Sequence, residues 1–98
     1  MKNPNRETVS KLEQLPNIGK KMADYLEMAD IKTPRSLIGK NAFDLYNKLR
    51  ERTGKPFDPC VIDVFMSVID FMEGGEPAPW WEFTDQRKKF LKKEGGKD

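Results

Sequence analysis

Leu15-Pro16-Asn17-Ile18-Gly19-Lys20-Lys21 is the stretch on which the fold of this 98-residue chain turns. Upstream of it, Val9, Leu12 and Leu15 recur at helical spacing, beginning near Arg6 with Asn5 as the cap. Pro16 stops that run, because the residue before a proline is pushed out of the helical region. Downstream, Met22, Tyr25, Leu26 and Ala29 share one side of a second helix from about Gly19 to Ala29, and Ile18 packs on that same side. Two helices joined by so short a turn make a helix-hairpin-helix unit.

The turn carries chemistry as well as shape. The first N–H groups of the second helix have no partner within it, and the positive end of the helix dipole stands behind them. Such donors suit one phosphate. Gly19 lacks a Cβ, so the backbone can approach an anion closely. Lys20 and Lys21 sit where cations oppose the dipole, a placement that makes more sense if an anion arrives. Asn17, Ile18, Gly19, Lys20 and Lys21 are therefore the candidate DNA-binding residues. Their contacts would grip the backbone without reading bases. Asn17 occupies a place where glycine is usual, and asparagine tolerates the left-handed conformation better than most residues.

Further along, Thr33-Pro34 pairs a cap with proline at the first helical position and opens a single turn, Pro34 to Ile38, ending at Gly39. Asn41 caps a fourth helix whose stripe is Ala42, Phe43, Leu45, Tyr46 and Leu49, with Asp44 in its first turn and Gly54 at its end. Leu37-Ile38-Gly39-Lys40-Asn41 is a second, degenerate hairpin, which adds Lys40 to the candidates. Capping alone also explains that sequence. Asp58-Pro59 opens a fifth helix to about Met72, apolar nearly all round except for Asp63, Ser67 and Asp70 on one narrow stripe. So little polar face marks a central, buried helix.

After Gly74-Gly75 the chain becomes Pro77-Ala78-Pro79-Trp80-Trp81-Glu82-Phe83, with extended geometry set by its prolines. Trp80, Trp81 and Phe83 read as a strap folded back on the bundle, or as a surface for a protein partner. Residues 84–93 form a last short helix, and 95–98 are expected to be disordered. The expected architecture is an all-α, compact five-helix bundle built on the helix-hairpin-helix (SAM-like) unit. Residues 1–76 form the domain, and 77–98 are a strap and basic tail.

Composition narrows the function. Charged residues are 35% and hydrophobic ones 37%, as in an ordinary globular protein, and no apolar run approaches a membrane span. No apolar signal segment follows the N-terminus, and Cys60 is the single cysteine, which fits a cytoplasmic, reducing setting. With no histidine, a zinc site is excluded. Asp63 and Asp70 lie about 10 Å apart along their helix, too far to share a metal. No nucleophile–base pair or phosphate-cradling glycine loop appears, so neither catalysis nor a cofactor or small-molecule substrate is expected.

Charge is unevenly spread. Residues 1–55 hold 12 Lys/Arg against 7 Asp/Glu, residues 56–86 hold 7 acids and no base, and residues 87–98 hold 6 bases and 2 acids. A basic front points to an anionic partner. Cys60, in the first turn of its helix, reads as a small buried hydrophobe rather than a reactive thiol, given Asp58 and Asp63 nearby. Arg87-Lys88-Lys89 reads as part of a basic arm or a solvated terminus.

Several landmarks together are more specific than the hairpin alone: Leu15-Pro16-Asn17-Ile18-Gly19, Ile31-Lys32-Thr33, Leu45-Tyr46, Asp58-Pro59-Cys60-Val61, and Pro79-Trp80-Trp81 with Phe83-Thr84-Asp85. In these the chain resembles the small bacterial pathogenicity locus family, also labelled mitomycin-resistance proteins. The resemblance implies a helix-hairpin-helix fold, DNA binding and no established catalytic activity. The expectation is thus a non-catalytic, sequence-independent DNA-binding module. The alternative is a protein-interaction module using Trp80 and Trp81.

Overall fold

The computed structural model describes residues 2–95, with side chains as far as Leu91. Its described residues form four α-helices: α1 (Lys20–Met28), α2 (Ala42–Thr53), α3 (Cys60–Met72) and α4 (Thr84–Gly95). Three short 3-10 turns, Leu12–Gln14, Pro34–Leu37 and Trp80–Phe83, stand between or before them, and no strand is present among these residues. None of the helices is long and apolar enough to cross a membrane.

The expected first helix is the main departure. Asn5 does cap, its Oδ1 accepting from Glu7 N at 2.8 Å and its carbonyl from Val9 N at 2.9 Å, but only one turn follows. Thr8, Val9 and Ser10 are poor helix formers. The Gln14 side chain then accepts from both Ser10 N and Lys11 N at 3.1 Å, diverting those donors from a helical ladder. The chain enters the hairpin through a tight 3-10 turn instead, and the expected third helix is likewise only a 3-10 turn, Pro34–Leu37. The all-helical class holds, with three of the five expected bundle helices formed as α1, α2 and α3 and the expected last helix formed as α4. The disorder expected at the C-terminus falls on residues outside the description beyond Gly95, which itself ends α4.

α3 is the spine. Val61, Ile62, Val64, Phe65, Val68, Ile69, Phe71 and Met72 are all buried, and fully burying such side chains stabilises by about 1.5–3 kcal/mol each. Leu15 and Ile18 from the hairpin, Leu26 from α1, Ile31, Leu37 and Leu49 complete the core around it. The caps expected at Asn41 and Asp58 are made, whereas the Thr33 side chain makes no cap hydrogen bond and meets Ser36 Oγ at 3.0 Å instead. Asn41 Oδ1 accepts from Phe43 N at 2.8 Å and Asp44 N at 3.1 Å, and Gly54, with φ +68°, ends α2 in the left-handed conformation that glycine adopts without strain. Asp58 Oδ1 accepts from Cys60 N at 2.8 Å, the main reason its carboxyl is held below the usual range.

Long-range polar contacts fix the helix ends. Asp30 follows α1 at φ +70° and receives a two-pronged contact from Arg52 at 2.9 and 2.6 Å, which lowers its pKa and ties α1 to α2. Arg6 donates to the Phe71 and Gly75 carbonyls at 2.7 and 2.6 Å, a cation at the negative end of α3. The polar stripe of α3 is not a solvent face. Asp63 is wholly buried and Ser67 nearly so, leaving only Asp70 exposed. Asp63 accepts from Arg87 Nε at 2.7 Å and from Thr84 Oγ1 at 2.7 Å, so Arg87 is buried on α4 and not part of a solvated arm. The side chains of Lys92 and Lys93 lie outside the described residues.

Candidate functional site

The hairpin is a reverse turn with Pro16 and Asn17 in its central positions. Ile18 N donates to Leu15 O at 3.2 Å, and Asn17 has φ +67°, the positive value that the second central residue of a type II turn requires. The Asn17 side chain does not stand over the turn. Its Nδ2 donates inward to Ser67 Oγ at 3.1 Å and to Ala78 O at 2.8 Å, and those two bonds offset the cost of a left-handed non-glycine residue. Leu15, Pro16 and Ile18 are buried, so the turn is anchored by apolar packing below and by Asn17 at its side.

Beyond the turn the backbone is bare. Gly19 precedes α1 with φ −100° and ψ −168°, and no side chain caps the helix. Among the described residues, the N–H groups of Gly19, Lys20, Lys21 and Met22 have no protein acceptor. Nothing lies within 4 Å of where a Cβ on Gly19 would stand, and its φ suits any residue. Glycine is therefore not demanded there from inside the protein; what its lack of a side chain leaves is an open approach from outside. Lys20 and Lys21 are exposed and, among the described residues, form no ion pair or side-chain hydrogen bond. Other cations of the basic front half are engaged internally: Arg6 at α3, Arg35 on Glu7 O at 2.8 Å, Lys48 and Arg52 on Asp30.

The second turn is built differently. Gly39 has φ +81°, and its N–H donates to the Glu73 carboxylate at 2.7 Å. The first free donors of α2 are taken by Asn41, as described. An acid and a side-chain cap thus fill the places an incoming anion would use. Lys40 is exposed beside this closed end and lines a cleft with Ala29 and Asp30, which follow the C-terminal end of α1, whereas Lys20 and Lys21 stand at the start of that helix.

The aromatic segment divides. Trp80 packs against the core and meets Trp81 edge-on at 5.7 Å, whereas Trp81 is 62% exposed. Phe83 lines an open cleft of about 310 Å³ with Phe43, Met66, Ile69 and Phe90, where Phe43 and Phe90 stack at 3.9 Å. Cys60 is half-buried, and burial, followed by the Asp58 and Asp63 carboxylates, pushes its thiol above the ordinary range. That is the opposite of an activated thiolate. No group of three metal-ligating side chains converges among the described residues.

One residue of this site escaped sequence reasoning. Lys2 reaches the hairpin from the N-terminal segment, its Nζ donating to Glu13 O and Ile18 O at 2.6 Å each. Nothing in the local pattern around Lys2 marks that contact.

A small helical chain with one open, lysine-flanked helix end belongs to the Pathogenicity locus family, whose sequence profile matches residues 5–89. The resemblance drawn from the hairpin, Asp58-Pro59 and Trp80-Trp81 landmarks is thereby borne out. The chain is similar to mitomycin resistance protein McrB of Streptomyces lavendulae, with 36% identity over 86 residues, or 88% of this chain and 82% of that protein. No solved structure matches it.

Proposed function

We propose that this protein is a non-catalytic, cytoplasmic DNA-binding module. In this reading the turn from Leu15 to Lys21 is a helix-hairpin-helix unit that grips the phosphate backbone without regard to sequence. The observation that carries the proposal is the open N-terminus of α1, with unpartnered N–H groups at Gly19, Lys20, Lys21 and Met22 and two exposed lysines beside them. The contrast with α2, whose end is closed by Asn41 and Glu73, supports a site at the hairpin of α1 alone, without Lys40. The inward-turned Asn17 side chain leaves the approach to Gly19 clear. The test is a titration of a labelled mixed-sequence duplex at two salt concentrations. Micromolar or weaker affinity is expected, with log affinity falling against log salt by about 0.9 for each phosphate engaged. An affinity indifferent to salt would count against backbone gripping.

A second reading, docking of a protein partner, is favoured at one residue by the 62% exposure of Trp81. It is separable from the fold. Trp80→Ala is expected to cost about 2 kcal/mol in urea unfolding because it removes packing from the core, while Trp81→Ala should stay within about 0.5 kcal/mol. A partner recovered by the wild type and lost with the stably folded Trp81→Ala protein would establish that second role. Equal destabilisation by the two substitutions would show instead that both tryptophans serve packing.

A further inference from the structure

Lys2 Nζ lies 2.6 Å from the Ile18 carbonyl. The Ile18–Gly19 peptide is planar and trans, so its C=O and the Gly19 N–H point in opposite directions. Holding the carbonyl on one side therefore aims the N–H to the other, where the described residues offer it no acceptor. A cation on the carbonyl also polarises that N–H and strengthens it as a donor. The second bond, to Glu13 O at 2.6 Å, ties the same ammonium to the turn that precedes the hairpin.

We infer that Lys2 is a positioning residue of the phosphate site: its ammonium orients the Ile18–Gly19 peptide so that the Gly19 N–H is presented to a DNA backbone phosphate. The inference rests on the DNA-binding reading for its ligand, but the orientation itself is a property of the protein alone. Lys2 does not touch the phosphate. Its loss should therefore weaken binding without changing how many counterions are released, and this separates it from Lys20 and Lys21.

The experiment compares wild type, Lys2→Met and Lys2→Arg. In the free proteins, the Ile18 carbonyl and Gly19 amide resonances are expected to move in Lys2→Met and to return toward wild type in Lys2→Arg. In duplex titrations, Lys2→Met is expected to bind about tenfold more weakly, the loss of one charged hydrogen bond, with the salt slope unchanged. Wild-type affinity and an unmoved Gly19 amide in Lys2→Met overturn the inference. A slope shallower by about 0.9 overturns it in another way, since Lys2 would then contact phosphate directly. If the wild type binds neither duplex nor inorganic phosphate, the DNA-binding reading falls, and the Gly19 resonance alone decides whether Lys2 orients the peptide.

Discussion

Replacing Asp63 by alanine is expected to cost about 3–5 kcal/mol in urea unfolding, because it strands the Arg87 guanidinium in a dry site. Asp63 is wholly buried and Arg87 is 8% exposed, with Nε–Oδ1 at 2.7 Å and Nη2–Oδ2 at 3.3 Å. Thr84 Oγ1 fills a further acceptor position at 2.7 Å, so the carboxylate is well satisfied. The hydrogen bond that Arg87 donates to Asp63 raises its pKa above the ordinary value. Once Asp63 is gone the guanidinium still cannot escape the penalty by losing its proton, because arginine stays protonated in proteins. Set against a total stability of about 5–15 kcal/mol, the loss is a large fraction. The pair need not be worth that much itself. Replacing both partners by apolar residues, Asp63→Leu with Arg87→Met, should recover most of the stability, since desolvating two charges offsets much of their attraction. Asp70→Ala, on the same helix but exposed, should stay within about 0.5 kcal/mol. A value for Asp63→Ala close to that of Asp70→Ala would mean that the pair does not hold α4 to α3.

That ion pair also marks where the sequence stopped being legible. Features set within a few residues were readable: Asn41 and Gly54 bounding α2, the apolar circumference of α3, and Pro16 closing the run before the hairpin. Each depends on local backbone chemistry. Arg87 reads locally as one of a run of bases, because the residue it meets lies 24 positions earlier. A signal did exist. An aspartate flanked on both sides by apolar residues of a helix meant for burial must find a cation or a set of donors, and the first bases after α3 begin at Arg87. The first helix failed for a related reason, since Val9, Leu12 and Leu15 are all buried as their spacing implies, yet Gln14 redirects the backbone between them. At the hairpin, the shape of the turn was readable from Pro16 and Asn17, whereas the partners of Asn17 at Ser67 and Ala78 exist only once α3 and the following segment are in place.

The same local logic makes a double charge reversal at the hairpin the sharpest functional prediction. Lys20 and Lys21 occupy the first turn of α1, where positive charge opposes the helix dipole. Glutamate at both positions should leave the fold intact or stabilise it, by about 0.3–1 kcal/mol for each residue. Binding should move the other way. Two attractions of about 1 kcal/mol each near a phosphate become two repulsions of like size, a change of about 4 kcal/mol and roughly a thousandfold in affinity at low salt. Screening shrinks that difference as salt rises. Lys20→Met with Lys21→Met should fall between, with a salt slope shallower by about 1.8. A charge-reversed protein that melts at or above the wild-type temperature yet no longer binds duplex would separate the site from the scaffold. Undiminished binding by that protein would move the phosphate contacts away from this helix end, because no other group at the hairpin could supply the attraction against four units of altered charge.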